Sequence, residues 1–195
     1  MAKFTIILDP AHGAETPGKR SPDEKLREYK WSRERVQELK QALELAGFEV
    51  FLTNNTDREI GLSKRAANAN RISRKNKILL SLHSNAAANS GWSNARGYSV
   101  YTTKGQTNSD KVAEQILQDF RKNFPELKGR FDKSDGDLDI EENFTVIYKT
   151  NFPSVLIEWL FQDNKEDVKL LQSPEYNKRF ISSLVESIKK LDQSL

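Results

Sequence analysis

Two histidines occur in the 195 residues, and each stands at the end of an apolar run that reads as a buried strand. His12 follows Phe4-Thr5-Ile6-Ile7-Leu8 within Asp9-Pro10-Ala11-His12-Gly13. His83 follows Ile78-Leu79-Leu80-Ser81-Leu82 and leads into Ser84-Asn85-Ala86. Open α/β sheets place their chemistry at strand carboxyl ends, so two imidazoles in that setting can share one metal ion. A lone histidine is more often structural; here the same context occurs twice, with carboxylates in matching settings. A catalytic zinc takes three protein ligands and keeps one position for water. Cysteine is absent, so the third ligand must be Asp or Glu. Glu28 is the leading candidate, at the start of the first long helix, and Glu24 competes from four residues earlier. Glu28 could equally serve only the positive end of the helix dipole.

Glu158 ends Val155-Leu156-Ile157 and precedes Trp159-Leu160-Phe161. A carboxylate at that depth is costly unless paired, hydrogen-bonded or near a cation. It reads either as a buried ion pair, with Arg65 or Lys149 as partner, or as the general base of a metal-assisted hydrolysis. Asp9, before His12, could accept the second N–H of a ligating imidazole or merely shape a strand-end turn. Asn85 could bind substrate or cap a loop. Asp9, Asn85 and Arg65 complete the candidate site as substrate-binding residues or as supports for the ligands.

The elements that must position these groups alternate along the chain. Phe4–Leu8, Phe48–Thr53, the segment from Lys77 to His83, Tyr98–Thr102, Thr145–Tyr148 and Ser154–Trp159 are predicted strands. Helices are predicted from Glu28 to Ala46, with Gly47 as its stop, and around Leu62, Ala66, Ala69 and Ile72. Two more are expected, one capped by Ser109 and one opened by Ser173-Pro174. Residues 125 to 143 read as a long surface loop. The fold class is therefore α/β: a single domain, residues 1–195, with a mostly parallel or mixed sheet of about six strands and helices on both faces.

Composition narrows the function classes. With 30% charged and 36% hydrophobic residues the chain is globular rather than disordered. Its net charge of +3 comes with no basic run or aromatic-basic motif, so no nucleic-acid partner is expected. No apolar stretch approaches the roughly 20 residues of a membrane span. The N-terminus enters a strand at once, which leaves no room for a signal peptide.

In this order and spacing, the fragments Leu8-Asp9-Pro10-Ala11-His12-Gly13, Glu28, Leu62-x-x-Arg65-x-x-x-Ala69-Asn70, Ser81-Leu82-His83-Ser84-Asn85-Ala86 and Pro153-Ser154-Val155-Leu156-Ile157-Glu158, with Phe161 and Asn164, carry a resemblance. The chain resembles the zinc-dependent N-acetylmuramoyl-L-alanine amidases that cut peptidoglycan, from Ile6 to about Ile188. The resemblance implies His12, Glu28 and His83 as Zn2+ ligands and Glu158 as catalytic carboxylate. It favours Glu28 over Glu24 by the interval to Gly47. The chain departs from the family pattern at Ala11, Ala14 and Leu160, where glycine is usual, and at Asn54, where arginine is usual. Peptidoglycan is the implied substrate, and a monomer the working expectation. A chain that is nearly all catalytic domain looks like a phage endolysin, held in the host cytoplasm before lysis; an exported enzyme lacking its signal reads the same way. Two alternatives share the fold: a peptidoglycan-binding protein without turnover, and a zinc peptidase or deacetylase that cuts another amide.

Overall fold

A computed structural model describes residues 2–88, 90–134 and 136–194; Met1, Asn89, Asp135 and Leu195 lie outside the described residues. In chain order the elements are β1 (Thr5–Pro10), α1 (Glu28–Leu45), β2 (Glu49–Leu52), α2 (Leu62–Arg71), β3 (Lys77–Asn85), β4 (Tyr98–Thr102), α3 (Asn108–Asn123), β5 (Ile140–Glu141), α4 (Thr145–Tyr148), β6 (Ser154–Phe161), α5 (Lys165–Leu171) and α6 (Pro174–Ser194). The six strands form one sheet in the order β2-β1-β3-β6-β4-β5. β2, β1, β3 and β6 run parallel, and β4 turns the sheet mixed by pairing antiparallel with β6.

Both faces of the central strands are covered, which is why they read as unbroken apolar runs. Ile6, Leu8, Ile78, Leu80 and Leu82 face the larger core, with Leu39 of α1, Phe120 of α3 and Leu184 of α6. Ile7 and Leu79 point the other way, against Ala69 of α2 and Val146 and Ile147 of α4. Trp159 is fully buried and stacks on Phe180 at 4.5 Å between ring centroids, with Phe120 and Phe124 at 4.9 and 4.8 Å. That aromatic cluster anchors the strand residue next to Glu158.

Four local expectations need correction. Thr145–Tyr148 is a single helical turn, not a strand. Its four apolar-looking residues are too few for periodicity to separate the two states, and burial of Val146 and Ile147 on one side suits a turn of helix. The cap of α3 is Thr107, whose hydroxyl accepts from Ser109 N–H and which forms a capping box with Asp110; the Ser109 hydroxyl instead accepts from Ser154 N–H. The described part of the 125–143 loop contains β5 and a bridge between Gly129 and Tyr98. α5 was not anticipated; Asn164 caps it by accepting from Glu166 and Asp167 N–H.

Candidate metal centre

The register of β1 and β3 pairs Pro10 with Leu82, so β1 ends beside Leu82 and His12, just past it, stands next to His83 near the carboxyl end of β3. His12 lies two residues past β1 with φ +49, a left-handed conformation that histidine tolerates better than most residues. Such strain costs about 1–3 kcal/mol and persists only where neighbours over-determine it. The neighbours are on α1. Arg33 donates to Ala11 O at 2.9 Å and to His12 O at 2.8 Å. The Ser32 hydroxyl accepts from Ala11 N–H at 2.8 Å and donates to Leu82 O at 2.6 Å, tying both strand ends to one helix turn. Gly13 follows because a Cβ there would lie 2.1 Å from the Glu59 nitrogen.

The first residue of α1 supplies the carboxylate. Glu28 is 1% exposed, and its Oε1 lies 3.3 Å from His12 Nε2 and 3.0 Å from His83 Nδ1. Ligands at about 2.0–2.1 Å around a tetrahedral ion stand roughly 3.3–3.4 Å apart, so these separations fit a zinc-sized cavity. The rings are edge to face, 5.0 Å between centroids. Two imidazoles and one carboxylate are a donor set suited to zinc. Among the described residues this is the one group of three or more such side chains that converges to within 4.8 Å. Burial works to raise the Glu28 carboxyl, but hydrogen bonds from His12 and His83 hold it below its ordinary value. Burial lowers the His83 pKa against the pull of Glu28, which favours the neutral imidazole that a metal needs.

Glu158 pairs in register with His83 and opens into the same cavity, about 230 Å³, with His12, Glu28, His83 and Lys19. Leu62, Asn85, Phe144 and Leu156 line it as well. Neither expected ion pair is seen among the described residues: Arg65 pairs with Asp9 through Nε and Nη2, and Lys149 donates to Ser63. Glu158 Oε2 is buried with no hydrogen-bond partner among the described residues, as is His83 Nε2. Burial pushes the Glu158 carboxyl well above its usual range; Glu28 adds to this and Lys19 partly offsets it.

The remaining candidates fall outside the ligand cluster. Asp9 does not reach an imidazole; it accepts from Arg65, Ser81 and Thr53 within the sheet. Arg65 is 0% exposed on α2 and so is a structural ion-pair partner rather than a substrate contact. Asn85 lines the cavity while its side-chain oxygen accepts from Ala86 N–H. Glu24 sits on the surface beside Arg20. Sequence reasoning missed Arg33, Lys19 and Gln162, whose side-chain N–H₂ donates to Glu28 Oε2 at 3.0 Å. Ser32 lies on the buried face of α1 with Val36, Leu39 and Leu43, and a hydroxyl on that face is the one signal the sequence offers.

Comparison with known proteins gives the family. The profile described as N-acetylmuramoyl-L-alanine amidase matches residues 6–190. The chain is 29% identical over 224 residues to N-acetylmuramoyl-L-alanine amidase AmiC of Neisseria meningitidis, covering 95% of this chain and 52% of that protein. It is 26% identical over 188 residues to the probable cell wall amidase LytH of Staphylococcus epidermidis, covering 95% of this chain and 57% of that one. It thus spans about half the length of the curated relatives it matches. Among solved structures, an N-acetylmuramoyl-L-alanine amidase from Clostridium difficile superposes with a TM-score of 0.86 at 22% identity, covering 100% of this chain and 99% of that chain, which establishes the shared fold. The chain belongs to the N-acetylmuramoyl-L-alanine amidase family.

Proposed function

We propose that this chain hydrolyses the amide joining the lactyl group of N-acetylmuramic acid to the L-alanine of a peptidoglycan stem peptide, with one zinc ion held by His12, Glu28 and His83. The observation that carries this reading is the meeting of those three side chains with Glu158 in one cavity of about 230 Å³. When bound, the ion supplies Lewis acidity at the scissile carbonyl and at the attacking water.

The chain's own residues do the rest. Glu158 takes the proton released as water oxygen bonds to the carbonyl carbon, and passes it to the amide nitrogen as the C–N bond breaks. The products are a muramic acid carboxyl group and a free L-alanyl amine. A carboxyl raised by burial suits both halves of that transfer near neutral pH, and a cation at the three ligands pulls it back toward ionisation. Arg33 and Ser32 keep His12 in its strained pose before substrate arrives. Leu62 and Phe144, each partly exposed at the cavity, offer apolar walls to the substrate.

The test is mass spectrometry of muropeptides after digestion of purified cell walls. We expect stem peptides with a free N-terminal alanine, released with zinc and not after chelation. Cleavage inside the peptide would instead indicate a peptidase, and binding without any new amino termini would indicate a non-catalytic wall protein.

A further inference from the structure

The end of β6 carries a bulge. His83 pairs with Glu158 and Asn85 with Phe161, so β6 has one residue more than β3 over this stretch. Within it Leu160 holds φ +60 although its side chain is fully buried. Past the bulge, Gln162 N–H donates to Asn85 O at 2.8 Å, which fixes that residue against β3. The Gln162 side chain is 1% exposed, and its amide donates to Glu28 Oε2 at 3.0 Å.

The two oxygens of Glu28 thus have separate duties. Oε1 faces His12, His83 and the Ser84 N–H, and Oε2 is held by Gln162. The Gln162 side-chain oxygen, Oε1, is buried without a partner among the described residues, a net cost to the fold. What the buried amide contributes is therefore the N–H bond to Glu28.

We infer that Gln162 is a positioning residue that makes Glu28 a one-oxygen ligand. A carboxylate free to rotate can offer both oxygens to a cation and occupy the position that a catalytic zinc site must leave open. Held at Oε2, Glu28 presents Oε1 alone. This inference rests on the proposed zinc site.

The test compares wild type with Gln162→Met, which keeps the length and removes the donor, and Gln162→Asn, which keeps the amide but shortens its reach. Both are stripped of metal, then loaded with cobalt for visible absorption and with zinc for competition against a chelator. Wild type should give the intense bands of a four-coordinate site. Both variants should give weaker bands of a higher coordination number, and zinc affinity lower by about 10–100-fold. If Gln162→Met does not fold, Gln162→Asn alone decides. A cobalt spectrum superimposable on wild type overturns the inference whatever happens to turnover. Wild-type protein that takes up neither metal overturns the zinc site itself, a different result.

Discussion

Asp9 and Glu158 are both carboxylates set into the same sheet, and their surroundings push them in opposite directions. Asp9, on β1, is fully buried yet accepts from Arg65, Ser81 and Thr53, which together outweigh the effect of burial and hold its pKa below the ordinary value. Glu158, within β6, has burial and the charge of Glu28 raising it, with only Lys19 in opposition. Neighbours that satisfy a carboxylate make it part of the scaffold; neighbours that leave it unsatisfied beside a cavity make it available for proton transfer. One carboxylate thus secures the sheet, and the other is the one to which the proposed reaction assigns the proton transfer.

The largest expected effect is on the cavity side. Chelation should abolish release of alanyl termini from cell walls, and added zinc should restore it; activity that survives exhaustive chelation breaks the comparison. Next, Glu158→Gln should retain zinc and lower kcat by roughly 10²–10⁴-fold, the usual worth of a general base. Because no donor among the described residues pairs with Glu158 Oε2, its urea midpoint should fall little, if at all. Arg65→Met should show the reverse, with a loss of about 3–5 kcal/mol in urea unfolding of the metal-free protein, since it strands the Asp9 charge in the interior. A loss under about 1 kcal/mol would mean that Ser81 and Thr53 suffice.

A third carboxylate sharpens the contrast at smaller scale. Asp139 is buried, accepts from Thr102, and is pushed up to about 7 by burial, despite Thr102, with repulsion from Asp137 adding. Its folded pKa lies above the unfolded value of about 3.9, so the folded chain holds a proton that the unfolded chain releases. Stability should fall as pH rises from about 4 to about 7 and stay low above that. Asp139→Asn should raise the melting temperature at pH 8 more than at pH 5. Equal changes at the two pH values would remove Asp139 from this account.

Much of this was legible in the residues, for definite reasons. The buried runs before His12 and His83 are parallel strands covered on both faces, and such strands announce themselves as unbroken apolar segments. Glu28 could be placed at a helix start, but the choice over Glu24 needed family resemblance, because spacing alone allowed either. Asp9 is close to His12 in sequence, which suggests an imidazole partner or a turn, whereas its partner Arg65 comes from 56 residues away. The Arg33 clamp and the Gln162 contact to Glu28, 134 residues apart, depend on tertiary placement that no local pattern encodes. Thr145–Tyr148 was lost to brevity, since four residues do not reveal a period.

The most direct test is elemental analysis of purified protein and of His12→Ala, Glu28→Ala and His83→Ala. We expect one zinc per chain in the parent and a loss of that zinc in each variant while the fold is retained. A parent without stoichiometric zinc, or variants that keep it, would contradict a shared ion at these three side chains.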